Sequence, residues 1–466
     1  MQDGERLDLE ITDVAHGGVF VARHDGRVVF VEGAIPGERV TVELTDTSKA
    51  AFWRADTLEV RDASPHRRPH VWAAADVAVP PEARPGGADF GHIGLAHQRV
   101  LKQQVLDDAL RRFAGIPDPA TTMSPAGAAG ETGVTGGAET DRADGLGWRT
   151  RVSLHVDEAG RIGPFAARSH RVIETPDLPL ATAAIADVAR GLEGFEPGRV
   201  DLVEPSEGGI RVIVRPERPR GGSGRGADAR PPQGRPGRGG RRPARRVGAA
   251  PAFRADPTAR EVIIERVGSR EFEVDAGGFW QVHRLAASTL TAAVRSALET
   301  AGGVDPSAHH LDLYGGVGLF AAAIAEAGGP GTRVTSVEAD ARATEHAGAN
   351  LAEWVGARAE TDRTDRYLAR LVKDGSAAER ARLARGAVLL DPPRAGAGRA
   401  VVEAIAQLAP ASVVYVACDP VALARDLGTF RELGYDPVRL DAFDLFPHSH
   451  HLETVAVLQA TGAPAR

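Results

Sequence analysis

From about Gln281 to the end of the chain, short apolar runs alternate with helical segments of 10–15 residues. HHLDLY, RVTSVEAD, GAVLLDPP, SVVYVACDP and LETVAVLQA read as strands. LAASTLTAAVRSALETA, LFAAAIAEAG and ARATEHAGANLAEW carry helical apolar spacing. Such alternation constrains the fold most, because parallel strands joined by crossover helices pack as a doubly wound α/β sheet. The rest of the 466 residues must then form further domains. Five short strands between residues 6 and 60, punctuated by Gly, Pro and Asp, predict a small closed barrel at 1–62. Residues 97–113 are spaced as a helix, and RTRVSLHVDEAGRIGPF as a hairpin, within a central α+β domain spanning 90–253. Two low-complexity stretches interrupt that domain: 114–147, which reads as a flexible insertion, and 216–252, which lacks core-forming residues. The doubly wound domain occupies 254–466.

Composition removes several functions. One cysteine, Cys418, excludes an internal disulfide, a thiolate zinc site and a cysteine-held iron–sulfur cluster. No apolar run approaches the roughly 18 residues of a membrane span, so no membrane partner is expected. The polar start MQDGERLDLE is unlike a secretory signal, and a cytoplasmic location follows as an expectation. The net charge of −7 conceals an uneven distribution. Residues 215–246 hold eleven arginines against Glu217 and Asp228, a local +9 that leaves −16 on the remainder. A concentrated basic segment on an acidic body can bind polyanions.

Four motifs carry candidate chemistry. In Leu311-Asp312-Leu313-Tyr314-Gly315-Gly316-Val317-Gly318 a strand enters a glycine-rich turn, and Glu338 ends the next strand 20 residues after Gly318. Glycine lets a ligand approach the backbone, and an acid there accepts hydrogen bonds from ribose hydroxyls, which points to a nucleoside cofactor. The alternative is a bare strand-to-helix turn. Asp391-Pro392-Pro393-Arg394 stiffens a loop at a strand's carboxyl end, or merely caps a helix. Cys418 ends a hydrophobic strand just before a helix that Pro420 can open. A thiolate there would benefit from the helix N-terminus, whereas the plainer reading is a small buried hydrophobe. Phe446-Pro447-His448-Ser449-His450-His451-Leu452-Glu453 holds three histidines in four residues, but the spacing fits no standard zinc pattern and no metal is expected. Glu453 alone could be an edge carboxylate without a role.

Taken together, GFWQVH at 278–283, LDLYGGVGLF, DPPRAG, VACDPVALARDL and FPHSHHLETV resemble, in order, the S-adenosylmethionine-dependent RNA uracil-5-methyltransferase family. WRTRVSLHV and FAARSHRVIE are similar to its central domain, and GGVFVARHDGRVVFVEGAIPGERV looks like a TRAM domain, an OB-like barrel. The resemblance implies a class I methyltransferase Rossmann-like sheet behind an RNA-binding barrel. It implies that Gln281, Tyr314, Glu338 and Asp391 serve the cofactor or lie between it and the base. It implies Cys418 as nucleophile and Glu453 as general base, acting on a uridine of RNA, with ribosomal RNA favoured over transfer RNA. No obligate protein partner is implied.

Two departures stand out. Where many members hold a four-cysteine iron–sulfur cluster, PGGADFGHIGLAHQRVLKQQ has no cysteine, so no cluster is expected. Asp419 replaces the family's usual asparagine after the nucleophile and would raise the thiol pKa by charge repulsion. Competing readings are a methyltransferase for another substrate, with Cys418 structural, and a non-catalytic RNA-binding protein on the same scaffold.

Overall fold

A computed structural model describes residues 1–127, 142–217 and 256–461. β1 (Arg6–Ala15), β2 (Val19–His24), β3 (Arg27–Glu32), β4 (Arg39–Asp46) and β5 (Phe52–Asp62) close into a barrel in the order β1-β2-β3-β5-β4. Alternate residues such as Phe20, Val29, Val31, Val40 and Val42 fill its interior. The buried carboxylate of Glu38 fixes the chain's exit. It accepts two bonds from the Arg67 guanidinium (2.6 and 2.7 Å) and the backbone N–H groups of Ile35 (2.9 Å) and Ser64 (3.1 Å).

α1 (Leu95–Ala109) then runs into one π-helical turn at Leu110–Ala114. Its Lys102 is fully buried, donating to Asp444 (2.5 Å) and to the carbonyl of Phe446 (3.0 Å). A buried charge of this kind persists only when paired. Ala88, from the cysteine-free stretch, packs with Trp72, Trp148 and Leu180 in a small apolar cluster.

The expectation of an unstructured insertion at 114–147 fails in part. Thr122–Pro125 forms β6, a strand at the edge of the large sheet. Four residues are too few to show a period, and only their partner strand defines them. Residues 128–141 of that stretch, and 218–255, which take in most of the arginine-rich one, lie outside the described residues.

The middle of the chain supplies β7 (Arg151–Val156), β8 (Ile162–Gly163), α2 (Ala183–Arg190), β9 (Gly198–Val203) and β10 (Arg211–Pro216), with sheet order β10-β9-β7-β8. A separate hairpin of β11 (Val262–Val267) and β12 (Arg270–Asp275) follows. The doubly wound unit comprises α3 (Ala286–Thr300), β13 (His309–Leu313), α4 (Leu319–Gly328), β14 (Arg333–Glu338), α5 (Ala341–Asn350), β15 (Ala357–Thr361), α6 (Thr364–Asp374), α7 (Ala377–Leu383), β16 (Ala387–Leu390), α8 (Arg399–Leu408), β17 (Ser412–Ala417), α9 (Pro420–Glu432), β18 (Tyr435–Asp444) and β19 (Glu453–Ala460). Its sheet order is β15-β14-β13-β16-β17-β19-β18-β6. β13 to β17 are mutually parallel, and β19 runs antiparallel to both β17 and β18.

Alternate strand residues serve opposite faces. Val414, Val416, Val455 and Val457 pack with α3 and α4, while Val413, Tyr415, Ala456 and Leu458 pack with α8 and α9. β15 and β18 are absent from the sequence reading. ARAET is a half-exposed edge strand, and YDPVRLDAFD is broken by a bulge at Pro437/Arg439, so neither shows a clean apolar run. Among the described residues no helix is long and apolar enough to cross a membrane.

Candidate active site

Parallel strands bring their carboxyl ends to one rim, where open α/β sheets place ligands. The turn after β13 begins at Tyr314, which adopts a left-handed φ of 62° that a side chain tolerates only when the surroundings impose it. Gly315 has no substitute. A Cβ there would lie 1.9 Å from Ser336 Oγ and 2.7 Å from Asp312 Oδ2. Asp312 forms the floor, accepting from Ala321 N–H (3.1 Å) and Ser336 Oγ (3.0 Å). At the end of β14, Glu338 accepts the N–H groups of Gly316 (3.1 Å) and Asp340 (2.8 Å), which fixes its carboxylate beside the turn. Asp362, at the foot of α6, pairs with Arg370 (2.8 Å) and does not line the cavity.

Asp391 follows β16, and burial together with the neighbouring Asp312 pushes its carboxyl up to about 7. The loop beyond it is tied down by Asp426. That carboxylate accepts from Ala397 N–H (2.7 Å), Gly398 N–H (3.2 Å) and the Tyr415 hydroxyl (2.7 Å).

Cys418 and Glu453 meet through strand register. β17 pairs antiparallel with β19, and Ala417 sits opposite Thr454. Cys418 follows Ala417 and Glu453 precedes Thr454, which brings the two side chains to one cavity, near enough for Glu453 to repel the thiol. Cys418 is half-buried and Glu453 is buried. Burial pushes the thiol up to about 12, with further repulsion from Glu453 and Asp391 and relief from Arg394. The Glu453 carboxyl is likewise raised well above the ordinary range, by burial and then by Asp391, against the pull of Arg394.

The benefit expected from the helix N-terminus does not prevail. Asp419, as N-cap, takes the N–H groups of Val421 (3.0 Å) and Ala422 (2.8 Å), so the first turn of α9 is already satisfied. The repulsion expected from Asp419 exists but is the last of the contributions to the thiol. Asp419 also accepts from His16 Nε2 (2.9 Å), which anchors the barrel's β1–β2 turn to the loop carrying Cys418.

One cavity of about 1150 Å³ joins all six predicted residues: Gln281, Tyr314, Glu338, Asp391, Cys418 and Glu453. The sequence reading did not assign roles to Arg149, Arg394 or Phe279, which also line it. Phe279 is 74% exposed although it lines this cavity. Its signal lay in GGFWQV, and that of Arg394 in DPPRAG. Arg149 stands in WRTRV with nothing to distinguish it from its neighbours.

The three histidines diverge. His448 bonds Gln98 and the Asp144 carbonyl, His450 bonds Asp89, and His451 accepts from Arg394. Among the described residues no group of three or more His, Cys, Asp or Glu is arranged to hold a metal.

The thiol's environment has a direct test. Because Cys418 is the sole cysteine, iodoacetamide uptake reports on it alone. Raising its pKa from 9.0 to about 12 means that the thiolate fraction grows about tenfold per pH unit across pH 7–10. The alkylation rate should follow that slope without levelling. Glu453→Gln removes a negative neighbour and should move the profile to lower pH. A plateau near the ordinary thiol value would contradict the assigned environment.

The cradle left by Gly315 and Gly316, the acid at the end of β14 and the position at the carboxyl rim fit a nucleoside cofactor. Fold and site together define an S-adenosylmethionine-dependent methyltransferase with an added β-barrel. A TRAM domain model matches residues 2–56, and a tRNA (uracil-5-)-methyltransferase model matches residues 358–461. The chain is similar to an uncharacterised RNA methyltransferase of Streptomyces avermitilis, 37% identical over 98% of both proteins. It is also similar to an uncharacterised RNA methyltransferase of Streptomyces coelicolor, 36% identical over 98% of this chain and 93% of that one. Among solved structures, the Pyrococcus abyssi tRNA (uracil-54, C5)-methyltransferase in complex with S-adenosyl-L-homocysteine shares the fold. Its TM-score is 0.63 at 19% identity, covering 97% of this chain and 99% of that one. The chain belongs to the TRAM-bearing RNA uracil-5-methyltransferase family.

Proposed function

We propose that this protein methylates carbon 5 of a uridine in RNA through a covalent bond between Cys418 and carbon 6. The observation that carries the reading is the convergence of Cys418 and Glu453 in one cavity with Gln281, Tyr314, Glu338 and Asp391. Those last four would hold S-adenosylmethionine or lie between it and the base. When bound, the cofactor supplies an electrophilic methyl group.

Carbon 5 of uracil is too weak a nucleophile to accept a methyl unaided. Cys418, its proton released, adds to carbon 6, and the ring's double-bond electrons move to make an enolate that is nucleophilic at carbon 5. After methylation carbon 5 bears both the methyl and a hydrogen. Glu453 takes that hydrogen as a proton, the C5–C6 double bond re-forms, and the Cys418 thiolate leaves. A carboxylate raised by burial is a stronger base than an exposed one, which suits this step. Arg394 balances the charge on both groups.

The target must leave its stack to reach a thiol at the sheet rim, so an unpaired or flipped uridine is the substrate form. Arginines 149, 215, 260, 342 and 394 around the cavity suit the phosphates of RNA. Ribosomal RNA is the favoured substrate, since TRAM-bearing members lean toward it. Transfer RNA is the second reading, favoured by the names of the matched family model and of the Pyrococcus enzyme. The reaction needs no protein partner or membrane, and an RNA substrate suits a cytoplasmic protein.

Incubation with methyl-labelled cofactor and unmodified ribosomal and transfer RNA, followed by nucleoside analysis, tests the reading. Label in 5-methyluridine of one RNA is expected. Label in another nucleoside would favour a different substrate, and RNA binding without label a non-catalytic role.

A further inference from the structure

A second cavity, of about 400 Å³, lies beside the first, and Gly87 and Arg149 line both. Methyl transfer as described above makes no use of it. Its volume falls within the range of about 300–1,000 Å³ typical of small-ligand pockets. Trp72, Leu178 and Leu180 contribute apolar wall. His155, on β7, and Phe165 stack there with ring centroids 3.5 Å apart and planes 14° from parallel, and His170 meets Phe165 edge-on at 5.2 Å. Both stacked rings are only half-buried.

The segment carrying Phe165 is held in place before any ligand arrives. The Phe165 carbonyl accepts from Gly86 N–H (2.9 Å), Ala167 N–H donates to the Arg84 carbonyl (3.2 Å), and Ala166 N–H to that of Arg171 (2.8 Å). At its tip Arg168 takes a left-handed φ of 52°, a conformation disfavoured for a residue with a Cβ. Its guanidinium reaches back to Glu32 of the barrel at 2.5 Å. Preorganised aromatic surface of this kind lowers the ordering cost of a flat ligand.

The shared wall indicates which ligand. Among the described residues Arg149 forms no ion pair; its Nε donates to the Arg151 carbonyl (3.1 Å), and Arg394 is close enough to repel it. Arg149 at the junction of the two cavities, with Arg394 on the wall of the first, favours an anion passing between them. A nucleic-acid strand offers that pairing, with a phosphate at the junction and a base on either side. Every base has a π-face that can stack on an aromatic ring, independent of sequence.

We propose that the second cavity takes another unpaired nucleobase of the same RNA strand, a near neighbour of the target uridine, against the outer face of the Phe165–His155 stack. The strand runs from one cavity to the other past Arg149. This inference rests on the RNA reading of the main cavity and adds a positional requirement to it.

The probe is the single-stranded heptamer AAAUAAA, with each adenosine in turn replaced by an abasic nucleotide, and binding followed by fluorescence anisotropy. At one neighbour position the abasic change should weaken binding about tenfold, within the range of about 5- to 150-fold expected for one lost base stack. Phe165→Ala should weaken the intact heptamer by a similar factor and show no further loss at that position, and Phe165→Trp should restore binding. S-adenosylhomocysteine affinity, read by calorimetry, should be unchanged. If Phe165→Ala loses it, His155→Ala replaces that variant under the same criteria. Intact-heptamer binding at the parent level, or losses that add at every position, would overturn the proposal.

A parallel heptamer carrying 5-fluorouridine separates this inference from the catalytic reading. Fluorine at carbon 5 leaves no proton for Glu453, so the methylated adduct should persist on a denaturing gel. Absence of the adduct with coupling intact would overturn the Cys418 assignment alone. A parent that binds no heptamer overturns both.

Discussion

Cys418→Ala should yield neither methylated RNA nor a protein–RNA adduct, while S-adenosylhomocysteine still binds. The loss follows from the proposed covalent route. Without the sulfur, carbon 6 has no partner, carbon 5 stays a poor nucleophile, and nothing else among the described residues lining the cavity is a comparable nucleophile. The fold should survive the change, because Cys418 is a half-buried residue lining the cavity and no strand pair depends on its side chain. Thermal melting therefore separates loss of chemistry from loss of structure. Methylation at the parent rate would return Cys418 to the status of a small structural residue.

The alternation of strands and helices after Gln281 was legible because each buried parallel strand is a short apolar run. HHLDL, AVLL and SVVYVA are buried along their whole lengths. The glycine turn was legible for a different reason. Gly315 lies over Asp312 and Ser336 with no room for a Cβ, so the sequence has to show glycine there. Edge strands carry no such constraint. β6 and β15 have one solvent-facing flank and little apolar character, and their identity comes from the neighbour they pair with.

Long-range electrostatics were the least visible. Nothing in the helical segment 97–113 marks Lys102 as buried, and its partner Asp444 stands 342 residues away. His16 and Asp419 are 403 residues apart, and their contact turns Asp419 from a neighbour of the thiol into a joint between the barrel and α9. Sequence proximity predicted that Asp419 would raise the thiol pKa by charge repulsion. In the fold that carboxylate faces His16 and the helix N–H groups, and Glu453 and Asp391 repel the sulfur more. A neighbour in sequence mattered less than two residues on adjacent strands.

The register of β17 and β19 also makes the second replacement informative. Glu453→Gln keeps the size of the side chain and its place opposite the end of β17, and removes only its ability to take a proton. Addition of Cys418 and methyl transfer should therefore still occur, once, and the reaction should stop with carbon 5 bearing both methyl and hydrogen. Losing a general base costs about 10²–10⁴-fold, so the protein should accumulate bound to methylated RNA on a denaturing gel. The same variant should alkylate faster at a given pH, because the thiol has one negative neighbour fewer. These two readouts move in opposite directions: the nucleophile becomes easier to ionise while turnover falls. Simple damage to the site would depress both. Turnover at the parent rate would remove Glu453 from the reaction, and a variant with no adduct at all would mean that Glu453 acts before methyl transfer rather than after it.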